Sequence, residues 1–475
     1  MSDQIDDTRR ISRRDMLRLS GVAIAGSLLA ACAPQATPAP TQAPAQPPAE
    51  EPAEEPAEEP VQEEPAEEPV QEAPALEEVT LRLTFWGDIA DMPTWEWGLN
   101  QWEEKSPHIK IMWENTPWGE YWTKLQTEMA GGASPDVVGM VSMYSMWYIR
   151  NDTLLPMDPF IENTPDIDMD DFWPAIMEAY KSEGQTYALP YDLSTMAMFY
   201  NKSLFDEAGV AYPVEWTWDE FLDAAIKMTK DTSGDGKIDQ FGYLLPSFDW
   251  TIDVPLGTNG TSLVSDDRSK CLLDTPEAIE TIQWLADLRL VHRVAPTIGE
   301  AGDIPMWETG RAAITWGNPE AVQMMIDRVG PPRDNDKFLW DVCLFPKKVR
   351  NANALHGGSF SIGKQTPYGE QAWEFVSFYT SSDILREMVA KPSRGIPGRR
   401  SCADSLLTDE NPEHQHLYLD VLDYEGMECR WIVPYQEVMD LKNKYIDQVF
   451  LGQTTAEEAM PKAVEEINPV LAPWA

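Results

Sequence analysis

Several places in this 475-residue chain bring together side chains whose types and spacing suit chemistry. Asp231-Thr232-Ser233-Gly234-Asp235-Gly236-Lys237-Ile238-Asp239 has calcium-loop spacing. Asp231, Ser233, Asp235 and Asp239 offer oxygens, Lys237 offers its carbonyl, and Gly236 allows the tight turn. Gly242 stands where a bidentate Glu would complete the set, so the loop reads either as a structural calcium site or as a polar turn. His414-Gln415-His416 places two imidazoles at i and i+2, which face apart on a helix. Gly358 to Lys364 has P-loop spacing, but Gln365 replaces the hydroxyl that would hold magnesium. His356 lies near Ser359 without a G-x-S-x-G elbow. No complete catalytic set results, and the expectation is a protein that does no chemistry and requires no cofactor.

The balance of 36 Lys+Arg against 80 Asp+Glu gives a net charge of −44. That excludes nucleic acid as a partner, because phosphate binding needs a basic face. Residues 1–32 carry net +1 and residues 33–78 carry −13, leaving −32 for 79–475. Nineteen Trp is a marked excess.

The N-terminus reads as an address. Arg13-Arg14 precedes the uncharged run Leu19 to Ala31, too short for a hydrocarbon core that needs about 20 residues. Leu29-Ala30-Ala31-Cys32 follows. Residues 1–32 resemble a twin-arginine signal joined to a lipobox, which implies lipidation at Cys32 and contact with the membrane through that anchor only. Residues 33–78 hold twelve Pro and thirteen Glu, a self-repelling linker with no apolar face. Cys271, Cys343, Cys402 and Cys429 form no C-x-x-C pair and leave disulfides and free thiols equally open.

The elements that must position any site follow from periodicity. Leu81–Trp86 and Ile109–Trp113 alternate as strands, with an amphipathic helix from about Trp95 to Lys105 between them. Val137–Val141 reads as a buried strand, completing a β-α-β-α-β rhythm of mainly parallel sheet. Thr217 with Glu220 forms a capping box, Thr275-Pro276 and Thr366-Pro367 start helices, and Thr455 with Glu458 caps the last. Phe241-Gly242-Tyr243 reads as a strand. The class is α/β.

Four ordered segments carry a resemblance: Tyr187–Asp192 running into Met198–Phe205, then Gly310–Gly317, Gly357–Ile362 and Arg394–Arg399. Together they closely resemble extracellular solute-binding proteins of bacterial ABC importers, in the maltose- and sugar-binding cluster. The resemblance implies a two-lobed periplasmic-binding-protein-like fold with several hinge crossings and a ligand cleft. Lobe one would be 79–195 with 358–400, and lobe two 196–357 with 401–475. It implies an exported monomer that delivers a carbohydrate to the transmembrane subunits of a permease. A peptide or polyamine ligand is the alternative within that class. A glycoside hydrolase using Asp192 and Glu320 is the alternative outside it. The implied ligand contacts are Trp86, Asp88, Met140, Tyr144, Tyr191, Asp192, Trp250, Trp316, Asn318, Glu320, Gly358, Trp431 and Tyr435. Pro319 stands near the point where maltose-binding relatives carry a stacking aromatic, with Trp316 three residues earlier.

Overall fold

The computed structural model describes residues 77–474 except 88–91, 247–250, 298–299, 301–304, 391–393 and 425–431. Cys32, Asp88, Trp250, Cys429, Trp431, the signal and the linker up to residue 76 lie outside the described residues.

In lobe one, β1 (Val79–Trp86) pairs in parallel with β2 (Ile109–Thr116) and β3 (Val137–Val141). Short β4 (Ala188–Pro190) closes the far edge. A returning strand, Gly358–Ile362, runs antiparallel between β3 and β4. Helix α1 (Met92–Lys105) covers one sheet face, where Leu81, Leu83 and Phe85 pack with Trp95, Leu99 and Trp102. The Trp102 indole donates to the Ile109 carbonyl at 3.0 Å, so this buried ring leaves no polar atom stranded. Helices α2 (Trp118–Ala130) and α3 (Ser142–Arg150) contribute to the core on the other face. Burying side chains of this size contributes roughly 1.5–3 kcal/mol each.

The chain leaves lobe one through β5 (Asp192–Leu193) and builds lobe two around β6 (Ala197–Asn201), β7 (Ile314–Gly317) and β8 (Trp340–Cys343). Their order is β8-β6-β7 and every pairing is antiparallel. The parallel rhythm expected from the sequence thus holds for β1 to β3 only. Helices α4 (Trp218–Met228), α5 (Pro276–Leu290) and α6 (Pro319–Arg328) belong to this lobe. The Thr217–Glu220 capping box is fully formed. Phe241-Gly242-Tyr243 makes a single bridge, Phe241 to Ala312, rather than a strand. Gly242 lies against the α4 backbone, where a Cβ would meet the Ala225 oxygen at 2.1 Å.

The returning strand Gly358–Ile362 is β9, and α7 (Gly369–Tyr379) starts two residues beyond Thr366-Pro367. β10 (Ile396–Pro397) then pairs antiparallel with β5. Ser194 bridges His356 beside them. Three stretches of chain therefore cross the hinge side by side. Arg399 anchors the last crossing in lobe one, donating to the carbonyls of Thr380, Asp168 and Ile167. The chain returns to lobe two at Tyr418, whose carbonyl accepts from Thr195. The last helices are α8 (Tyr435–Phe450) and α9 (Ala456–Leu471), the latter capped by Thr455 as its spacing predicts. No helix among the described residues is long and apolar enough to cross a membrane.

Candidate functional site

Parallel strands end together, and that brings the first site residues into one place. Trp86 ends β1 opposite Thr116 at the end of β2. Pro117 turns the chain and Trp118 opens α2, so two indoles leave neighbouring strand ends. They meet edge to face with centroids 5.4 Å apart. Tyr121 and Trp122 of α2 support Trp86 from below, at 5.5 and 5.4 Å. From lobe two, β7 leads through Asn318 into α6, whose first turn carries Glu320. The hinge supplies Tyr191, Asp192 and Arg394. With Gly87 and Trp95, these groups wall a cavity of about 150 Å³ between the lobes.

Asp192, Arg394 and Tyr191 are each held by a specific contact or by burial. Asp192 accepts the Gly358 N–H at 2.6 Å. The Arg394 guanidinium lies over Trp95, 5.6 Å from the ring centroid. Trp95 stands edge-on to Tyr191 at 5.4 Å. Burial, and then the Asp192 charge, push the Tyr191 hydroxyl well above its ordinary pKa, so it remains a neutral donor. The wall thus offers indole faces beside two carboxylates, a guanidinium and a phenol. Such a surface holds a ligand that presents both C–H faces and hydroxyl groups.

Of the residues singled out from the sequence, the cavity brings together Trp86, Tyr191, Asp192 and Glu320. The other described ones lie off that wall. Met140 is wholly buried in β3. Trp316 is 7 % exposed and packs toward Phe345 at 6.1 Å. Asn318 caps α6 by accepting from the Ala321 N–H at 3.1 Å. Gly358 backs Tyr191, where a Cβ would lie 2.4 Å from the ring. Tyr144 and Tyr435 touch each other with centroids 5.0 Å apart.

Sequence reasoning missed Trp95, Trp118 and Arg394. Trp118 had a usable signal: an aromatic one turn residue past the end of a parallel strand, now 39 % exposed. Arg394 stood at the head of a segment matched as a motif, with nothing in its spacing to mark it as a wall residue.

The 231–239 loop closes on itself. Asp231 accepts from the N–H groups of Gly234 and Gly236, both at 2.7 Å. Asp235 accepts from Lys237, and Asp239 from Thr232. Among the described residues, the one cluster of metal-ligating type with converging atoms is Asp341, Glu413 and His414. There Lys202 already pairs with Asp341 at 3.1 Å and His414 Nδ1 lies 2.9 Å from it. Cys271, Cys343 and Cys402 are buried free thiols.

Comparison with known proteins adds the family. The profile of the bacterial extracellular solute-binding proteins matches residues 86–384. An arabinooligosaccharide-binding protein of Halalkalibacterium halodurans is 26 % identical over 409 residues, covering 81 % of this chain and 88 % of its own. In fold, the chain matches an ABC substrate-binding protein of Listeria monocytogenes in complex with cycloalternan, with a TM-score of 0.74 and 22 % identity. That match covers 83 % of this chain and 99 % of the other. Maltose-bound MalE3 of T. maritima matches with a TM-score of 0.68 and 21 % identity, covering 82 % and 99 %. Two lobes on a threefold crossing, a walled cavity between them and a profile match over most of the globular region agree: this chain belongs to the bacterial extracellular solute-binding proteins.

Proposed function

We propose that the protein captures a carbohydrate between its lobes and delivers it to the transmembrane subunits of an ABC permease. The observation that carries this reading is the cavity wall itself. The Trp86 and Trp118 rings stand beside Asp192, Glu320 and Arg394, from both lobes and the hinge. Sugar rings stack their C–H patches on indole faces, and their hydroxyls take paired acceptors and donors. The binding activity named for the H. halodurans relative, and the sugars bound in the two matched structures, support the same ligand class.

The protein acts as a binding protein and not as an enzyme in this reading, in keeping with the binding activity named for its relatives. Hydrolysis of aryl glycosides by the purified protein would overturn that part. The exported, monomeric protein is held at the outer face of the cytoplasmic membrane by lipid on Cys32, with residues 33–78 as its tether. Release of the protein from the membrane fraction by Cys32→Ser tests the anchor.

The ligand test is a thermal-shift panel of mono- and oligosaccharides, polyols, peptides and polyamines. A true ligand at 100-fold excess over its Kd adds about 2.7 kcal/mol of stability. A shift confined to one sugar series, and lost in Trp118→Ala, supports the proposal. A shift with peptides or polyamines alone overturns the ligand class and keeps the fold.

A further inference from the structure

Behind the cavity wall, the two lobes also meet at Tyr144 on α3, which is 7 % exposed and stands edge-on to Trp118 at 6.2 Å. Its ring stacks on Trp122 of α2, with centroids 4.1 Å apart and planes 10° from parallel. On its other side stands Tyr435 of α8, in lobe two. Its hydroxyl donates to Oε1 of Gln436 at 2.9 Å. The Gln436 Nε2 donates to Asp440 one turn further along α8, at 2.9 Å, which orients the amide so that its oxygen faces Tyr144. Trp122 in turn lies 5.4 Å from Trp86 and 5.2 Å from Trp118, both on the cavity wall. Trp122, Tyr144 and Tyr435, with Trp86 packed against them, belong to one buried apolar cluster that continues without a break from α2 and α3 into α4, α5, α8 and α9.

A continuous line of ring contacts therefore runs from the ligand wall in lobe one to an adjoining lobe–lobe contact, with the Trp118 ring itself 6.2 Å from that of Tyr144. We infer that Tyr144, with Tyr435 and Gln436, is the latch of the closed state, and that Trp122 couples ligand seated on Trp86 and Trp118 to the formation of that latch. Packed rings have few alternative rotamers. Fixing Trp86 and Trp118 with a ligand narrows the positions open to Trp122, and the parallel stack then holds the Tyr144 hydroxyl toward Gln436. Closure forms the hydrogen bond and buries the Tyr144–Tyr435 pair. Opening breaks both, so the ligand gains its differential affinity for the closed state partly through these residues. The inference rests on the proposed function for its ligand, though not for its geometry.

Two arms of one experiment separate the two. In the first, the full chain carries the photo-crosslinker p-benzoylphenylalanine in place of exposed Gln436, and is irradiated with no sugar present. Trapping is irreversible, so a sparsely populated closed state suffices. Adducts on the peptide 142–150 support the latch; adducts confined to lobe two overturn it. In the second arm, maltotriose and arabinotriose are titrated into wild type, Tyr144→Phe, Gln436→Leu and the double variant. Tyr144→Phe keeps the ring stack and loses only the donor, and weakens binding about three- to tenfold. The double variant matches the single ones instead of multiplying their losses. Unchanged affinity in Tyr144→Phe, or losses that multiply, overturns the latch. If neither sugar binds wild type, the titration is run with the ligand the thermal-shift panel identifies, and the photo-adduct decides the latch independently of it.

Discussion

The Asp192 carboxylate accepts the backbone N–H of Gly358 at 2.6 Å, tying the first hinge strand to the strand that re-enters lobe one. The same side chain lines the cavity, so one carboxylate serves both the hinge and the ligand wall.

Asp192→Ala is therefore expected to lower stability and ligand affinity together. A hydrogen bond to a charged group contributes about 1.5–3 kcal/mol. Asp192→Asn keeps an acceptor for the Gly358 N–H and restores most of the stability without restoring full affinity. Thermal unfolding read beside calorimetric titration separates the two effects, and parallel recovery of both in Asp192→Asn would contradict the dual role.

Trp118 and Trp316 should behave in opposite ways. Trp118 is 39 % exposed on the cavity wall, so Trp118→Ala reduces affinity with little change in melting temperature. Trp316 is 7 % exposed in the lobe-two core, and Trp316→Ala costs about 3–5 kcal/mol through the cavity it leaves. Melting curves of the ligand-free variants are enough to distinguish them.

Gly358→Ala tests a close approach. Its Cβ would stand 2.4 Å from Tyr191 ring atoms, and that ring is confined between Trp95 and Phe360. Overpacking of this kind costs about 1–3 kcal/mol. Partial rescue is expected from Tyr191→Leu, which shortens the opposing side chain.

Acid should weaken the fold through His356. Burial lowers its pKa from 6.5 to about 4, so the folded protein holds it neutral while the unfolded chain protonates it near 6.5. The stabilisation is complete above pH 6.5 and is lost as pH falls toward 4. Its ceiling is about 3 kcal/mol. His356→Gln should flatten the denaturant midpoint between pH 6.5 and 4 relative to wild type.

Calcium binding by the 231–239 loop would require its carboxylates to trade backbone N–H partners for the ion. Calorimetry on metal-stripped protein checks this directly. With these hydrogen bonds in place, no heat is expected at micromolar calcium, and a Tm increase at that concentration would show that the loop rearranges around an ion.

Local chemistry made much of the scaffold legible. The Thr217–Glu220 capping box, the Thr275-Pro276 start and the Thr455 cap appear where side chains can satisfy the first backbone N–H groups. Those rules depend on residues three or four apart and on nothing more distant. Half-buried β1 showed itself by alternation for a similar reason. Phe241-Gly242-Tyr243 misled because a short apolar run does not reveal whether a partner strand lies beside it. Here the α4 backbone lies there instead.

Sequence by itself determined the export-like N-terminus, the acidic linker, the α/β class and the resemblance to solute-binding proteins, since each is written in composition or in contiguous motifs. It also identified Trp86, Tyr191, Asp192 and Glu320, which sit at strand ends or beside the crossover. Only the tertiary structure decided that Trp118, Trp95 and Arg394 join them and that Trp316 turns into the core. The members of that wall lie up to 308 positions apart, from Trp86 to Arg394. Which face of a strand or helix meets the cavity is set by how two sheets pack across a hinge, and no local periodicity encodes that relation.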